Sequence, residues 1–208
     1  MMKKIIKTRS GDYHFEPVNL YSRGKKIDKK VSRENLLIVR DILNKSKLRW
    51  GLIFGTLLGA LREGDFIDHD EDTDIYIFNE DRKKLIDNVF EFEKHGFRVA
   101  RYGGFLISII RNDDYIDFYF FKKVFFGRRC EGFFVPKVFF STQATVTFLE
   151  VEFPTVFKPK EYLSYVYGED WRIPKINNHA AQNYFYWKYI VKKIFSMFNN
   201  FVSYLKKK

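Results

Sequence analysis

A chain of 208 residues with 46% hydrophobic and 19% aromatic side chains is long enough to bury one core and too apolar to be a disordered segment. Its single cysteine, Cys130, excludes an intramolecular disulfide framework and reads as a small buried apolar residue, which sets the expectation of a reducing, cytoplasmic location. A formal net charge of +11 favours anionic partners without choosing among nucleotides, phosphorylated glycans, nucleic acid and acidic lipid.

The N-terminus, Met1-Met2-Lys3-Lys4-Ile5-Ile6-Lys7, lacks the sustained apolar run and cleavage site of a signal peptide. No segment holds roughly 18 uninterrupted apolar residues, so no membrane-spanning helix is expected. Residues 1–31 mix charge with Gly11, Pro17 and Gly24 and read as an irregular basic arm. Ser32 stands where an N-cap belongs, and Leu36, Leu37, Val39, Ile42 and Leu43 recur at helical spacing, predicting a helix over 33–47. A short buried strand follows over 50–54, stopping at Gly55-Thr56, with a helical turn or two over 57–62. Ile75-Tyr76-Ile77-Phe78 predicts a second strand directly after the acidic run 70–74. Asn79 can cap a helix reaching Glu93, with Gly96 as its stop. Three strands are then expected over 97–102, 105–111 and 115–121, joined by hairpin turns, with more strands from 124 to 157. A helix over 159–167, a loop over 168–174 and a long helix over 183–205 complete the chain. The fold class is α/β (α+β), a mixed sheet flanked by helices, with a C-terminal amphipathic helix.

Two features of this order carry chemistry. Side chains in a strand alternate faces, so Asp72 and Asp74 point the same way with alpha carbons roughly 6.5–7 Å apart, a spacing at which two carboxylates share divalent cations. Asp117 lies inside the apolar run Tyr115-Ile116-Asp117-Phe118-Tyr119, where an ionised group needs a partner; if its strand neighbours that of Asp72, a third carboxylate joins the pair. Gly55-Thr56, at a strand-to-helix junction, lets backbone N–H groups approach an anion, and Arg62 could add a bidentate phosphate contact. The bland readings are a solvated acidic turn, an ordinary helix cap and a solvated arginine.

The runs Gly55-Thr56-Leu57-Leu58-Gly59-Ala60-Leu61-Arg62, Gly64-Asp65-Phe66-Ile67, Asp70-Glu71-Asp72-Thr73-Asp74-Ile75, Ile116-Asp117-Phe118-Tyr119 and Tyr167-Gly168-Glu169-Asp170-Trp171-Arg172-Ile173-Pro174 together resemble the LicD/fukutin-related family. That family lies in the nucleotidyltransferase-fold superfamily, and the likeness covers about Ser32 to Pro174. Three positions depart from its pattern: Asp68 where Pro is common, His69 where Trp is general, and Glu71 where Asp is common. His69 is therefore read as a residue at the pocket edge.

The resemblance implies a nucleotidyltransferase-like catalytic domain over 32–175, between the arm 1–31 and the C-terminal helix over 176–208. It implies transfer of a phosphoalcohol, such as phosphocholine or phosphoribitol, from a cytidine-diphosphate-activated donor to a hydroxyl of a cell-surface glycan, as in lipopolysaccharide or capsule synthesis. Asp72, Asp74 and Asp117 would be catalytic and hold Mg2+ or Mn2+, with Asp70 as an additional or supporting ligand. Gly55, Thr56, Arg62, Trp171 and Arg172 would bind the donor. Asp117 would also be the candidate acceptor of the hydroxyl proton. Nucleic acid is not expected as a partner.

The tail places Trp187, Ile190, Val191, Ile194, Phe198, Phe201, Val202 and Leu205 on one helical face, with lysines flanking them. That pattern suits either packing on the domain or an anionic membrane surface at the inner face of the plasma membrane. Two rival functions remain at this stage: a nucleotidyl- or glycosyltransferase using a nucleotide diphosphate donor, and a non-catalytic basic adaptor for an anionic polymer or membrane.

Overall fold

The computed structural model describes residues 3–20 and 26–174. The C-terminal amphipathic helix expected over 176–208 lies outside these residues.

The first departure from expectation is at the start of the chain. The stretch read as an irregular arm begins with an antiparallel hairpin, β1 (Lys4–Thr8) and β2 (Gly11–Phe15). Ile6, Tyr13 and Phe15 alternate with exposed residues and enter the main core, so this segment is integrated with the domain. Charged neighbours and glycine masked a short period-2 pattern. Further on, the Val18 N–H donates to the Ala100 carbonyl at 2.9 Å and the Ile27 N–H to the Asp70 carbonyl at 2.9 Å. Val18 thus joins one sheet edge, and the strap that begins at Ile27 lies on the acidic loop.

Helix α1 (Lys29–Lys45) starts earlier than expected because Asp28, not Ser32, is the cap; its carboxylate accepts the N–H groups of Lys30 and Val31. Ser32 is instead buried inside the first turn, donating its hydroxyl to Asp114 at 2.8 Å. Strand β3 (Trp50–Leu52) leads straight into α2 (Phe54–Arg62), which begins three residues before the expected point. Next come β4 (Asp72–Phe78) and two short helices, α3 (Arg82–Ile86) and α4 (Val89–Lys94). One continuous helix over 79–93 was expected there; Asn79 opens only a 3-10 turn and caps nothing with its side chain.

The strands β5 (Arg98–Tyr102), β6 (Leu106–Arg111) and β7 (Asp114–Val124) form the expected meander. Beyond them, β8 (Gly127–Cys130), β9 (Phe133–Pro136), β10 (Ala144–Phe148) and β11 (Val151–Thr155) fill the strand-rich region, and α5 (Pro159–Tyr167) closes the described chain.

Among the described residues the central sheet runs β10-β11-β3-β4-β7-β6-β5, with β8 pairing the far half of β7 and β9 pairing β8. It is mixed: β4 and β7 are parallel, while β3 with β4 and β6 with β7 are antiparallel. The parallel register sets Asp72 opposite Tyr115 and Asp74 opposite Asp117. The next pairings set Asp117 opposite Ser108 and Ser108 opposite Arg101. Four side chains, Asp74, Asp117, Ser108 and Arg101, therefore occupy one row across four adjacent strands, on one face of the sheet.

Among the described residues, no helix is long and apolar enough to cross a membrane.

Candidate active site

The site begins at the turn between β3 and α2. Phe54 sits in the left-handed region at φ 48°, a conformation that costs a side-chain-bearing residue of order 1 kcal/mol. Aromatic packing holds it there: its ring meets those of Tyr119 and Phe133 at centroid distances of 5.2 and 4.8 Å. The turn aims the first amides of α2 at β4. Asp74 Oδ2 accepts the Gly55 N–H at 2.8 Å and the Thr56 N–H at 3.4 Å, while the Asp74 N–H donates to the Thr56 hydroxyl at 2.8 Å.

Gly55-Thr56 is the expected phosphate cradle, and Gly55 lines the cavity described below. The anion at the helix start is the protein's own Asp74 carboxylate, and Thr56 is buried beneath it. The glycine is still essential for space: a Cβ at position 55 would stand 2.6 Å from Asp70 Oδ2 and 3.1 Å from Asp74 Oδ2. Both carboxylates thus converge over the same bare backbone.

Asp70, Asp72, Asp74 and Gly55 line a cavity of about 710 Å³, together with Arg62, His69, Glu71, Tyr115, Tyr119, Tyr167 and Trp171. Burial raises the Asp74 carboxyl well above its usual range, and the charges of Asp70 and Asp117 raise it further, against the amides of Thr56 and Gly55. Asp72 is raised well above its usual range by burial, then by Asp74, Asp117 and Asp70. Asp70 is raised to about 6, chiefly by burial. Arg62 and His69 on the same cavity only partly offset this crowding at Asp70.

Asp117 differs. It is 1% exposed and does not line the cavity. Its Oδ1 accepts the Ser108 hydroxyl, and its Oδ2 accepts Arg101 Nη2 at 2.7 Å and the Tyr119 hydroxyl at 3.4 Å. Burial raises its carboxyl, while Arg101, Ser108 and Tyr119 oppose that rise. The expected third carboxylate is adjacent to Asp74 and already neutralised from behind.

The carboxylate oxygens of Asp70, Asp72 and Asp74 on the cavity wall are hard donors of the kind that suits Mg2+ or Mn2+, and such an ion would relieve the repulsion just described.

The remaining expected residues separate. The Arg62 guanidinium lines the cavity but bonds to Glu63 Oε1 at 3.0 and 2.6 Å. Trp171 is buried and lines the cavity; Arg172 is exposed, stacks on the Trp171 ring at 4.3 Å and is not among the lining residues. His69 is exposed at the cavity edge.

Several contributors carried no sequence signal as site residues. Ser108 becomes visible only through strand register, which also selects Arg101 over Arg111 as the partner of Asp117. Phe54, Tyr115, Tyr119, Phe133 and Tyr167 looked like core aromatics but form a ring-lined wall. The Ile27 N–H and the Lys29 ammonium, paired with Asp65 at 3.1 Å and Asp68 at 2.6 Å, tie down the loop that carries Asp70.

A mixed sheet with a strand-turn-helix start and adjacent carboxylates on neighbouring strands defines a nucleotidyltransferase-fold catalytic domain. Residues 47–175 match the family model for LicD/FKTN/FKRP, nucleotidyltransferase domain, and the chain belongs to that family. Among solved structures it is similar to the lincosamide antibiotic adenylyltransferase LnuA, lincomycin-bound (TM-score 0.50, 12% identity, 77% of this chain and 95% of that one). It is likewise similar to the solution structure of the antibiotic-resistance factor ANT(2'')-Ia (TM-score 0.51, 14% identity, 86% and 97%). At these identities the likeness is one of fold. No curated protein matches the sequence.

Proposed function

We propose that this domain transfers a phosphoalcohol from a cytidine-diphosphate-activated donor to a glycan hydroxyl, using Mg2+ or Mn2+ held by Asp70, Asp72 and Asp74. The observation that carries the reading is the convergence of Asp70 and Asp74 over Gly55 at the floor of an open cavity. A bound divalent ion would neutralise diphosphate oxygens and the charge that develops on transfer.

The chain's own groups do the positioning. The Gly55 and Thr56 amides fix Asp74, and the strap from Ile27 fixes the Asp70 loop. Arg62, reached from the same wall, can exchange its contact with Glu63 for a donor phosphate oxygen. The rings of Phe54, Tyr115, Tyr119, Phe133, Tyr167 and Trp171 beside acidic groups suit the face of a cationic alcohol or a base. Family membership favours the phosphoalcohol, and choline is the alcohol this wall would suit best. Asp117, closed off by Arg101 and Ser108, is assigned here to supporting Asp74 rather than to taking the proton.

The second reading is nucleotidyl transfer, favoured by the fold shared with the lincosamide antibiotic adenylyltransferase. Thermal unfolding with Mg2+ or Mn2+ and a panel of CDP-choline, CDP-ribitol, CTP and ATP distinguishes them. Metal-dependent stabilisation by a CDP-alcohol, lost in Asp72→Asn, supports the proposal; stabilisation by ATP or CTP alone supports nucleotidyl transfer.

A further inference from the structure

The far half of β7 leaves the central sheet and turns back at Phe125-Phe126 into β8. Phe125 is 89% exposed, the most exposed large apolar residue described. Its ring stacks edge-on against Phe126 at 4.5 Å, and the turn is braced from below by the Lys137 N–H donating to the Phe126 carbonyl at 3.0 Å. Beside it Val138 is 44% exposed. Core requirements do not explain a phenylalanine held outward on a braced turn.

Cations surround the tip. Lys122 and Lys123 are exposed and have no ion pair among the described residues, and Lys137 and Arg129 are exposed as well. Arg128 is the exception, held by Glu80 at 2.8 Å and stacked on Phe78 at 3.8 Å, so it anchors the hairpin instead of facing out. An apolar wedge with unneutralised lysines on its shoulders matches an anionic lipid surface, whose headgroups attract the charges while its acyl boundary accepts the ring. A nucleic-acid duplex would use the lysines but leave the projecting Phe125 in water.

We propose that the Phe125-Phe126 turn is a membrane-docking tip that inserts Phe125 into the interface of an anionic bilayer, with Lys122, Lys123 and Lys137 on the headgroups. Docking itself does not depend on the transferase reading; its use does. From Gly127, β8 runs back to Glu131, which lines the cavity, a span of about 13 Å at the rise of a strand. Docking would hold the cavity mouth close to acceptors anchored in the bilayer.

The test uses the full chain with phosphatidylglycerol–phosphatidylcholine vesicles and with pure phosphatidylcholine vesicles. The parent should float with the anionic vesicles only. Phe125→Ala should weaken that binding about tenfold, as expected for a ring leaving an apolar environment. Lys122→Gln and Lys123→Gln should each weaken it about fivefold. Because the C-terminal residues are also basic, insertion is read locally: Phe125→Trp should gain emission that is quenched by brominated phosphatidylglycerol beyond the parent's level. Parent-like binding by all three weakening variants, or no added quenching in Phe125→Trp, overturns the proposal. Lipid-independent self-association that buries the probe in Phe125→Trp also overturns it, pointing to a second copy. CDP-alcohol stabilisation should be unchanged in every variant, so failure here and failure of the transferase reading are separable.

Discussion

Asp74 and Asp117 face each other across one parallel strand pair, yet the protein treats them oppositely. Asp74 is held by amides at a helix start and lines a cavity together with Asp70 and Asp72. Asp117 is 1% exposed, off the cavity, and capped by Arg101, Ser108 and Tyr119. A buried carboxylate with an arginine is a finished structural unit, whereas Asp74 shares its cavity with Asp70 and Asp72 and would be relieved by the proposed metal ion. The difference turns a cluster of acids into a directed one.

The comparison can be broken most strongly through turnover. Asp74→Asn and Asp72→Asn keep shape but remove charge from the proposed metal site, so each should lower metal-dependent donor turnover about a thousandfold, the equivalent of about 4 kcal/mol of lost charge stabilisation. Circular dichroism should be unchanged. Asp117→Asn should have a smaller kinetic effect and a larger structural one.

Stability then sharpens it. Asp117→Asn removes the buried carboxylate paired with the Arg101 guanidinium at 2.7 Å and should cost about 2–3 kcal/mol in metal-free urea denaturation. Asp74→Asn, which relieves repulsion, should cost little or raise metal-free stability. Equal destabilisation by the two would erase the distinction.

pH dependence separates them again. Asp70 has its folded pKa raised from 3.8 to about 6, so the folded state prefers the protonated acid. That preference contributes fully below the unfolded value and is lost as pH rises through about 6. Asp70→Asn should therefore gain metal-free stability over the parent between pH ~4 and ~7, by up to about 3 kcal/mol. Denaturation midpoints across that range measure it, and a gap that shrinks with pH would contradict the assignment.

The smallest expected effect is at Thr56. Thr56→Val leaves the buried Asp74 N–H without its acceptor and should cost about 1–2 kcal/mol, with weaker metal binding but intact fold. Unfolding and Mn2+ titration of the same sample report both.

Much of this was legible before the structure. Strand alternation placed Asp72 and Asp74 on one face, and the apolar run around Asp117 announced a buried acid. What stayed hidden depended on register. Arg101 and Ser108 are ordinary residues of an edge hairpin until β5 and β6 align them with Asp117. Composition could not say that the internal Asp74 carboxylate reaches the amides of Gly55 and Thr56. The arm 1–31 looked irregular because the alternation of Ile6, Tyr13 and Phe15 is broken by lysines and a turn.

Mn2+ titration followed by electron paramagnetic resonance tests the central claim most directly, using the parent, Asp74→Asn and Asp117→Asn. The account predicts binding by the parent, none by Asp74→Asn, and retained but weaker binding by Asp117→Asn, whose charge only reinforces the site. Loss of binding in Asp117→Asn with retention in Asp74→Asn would contradict it.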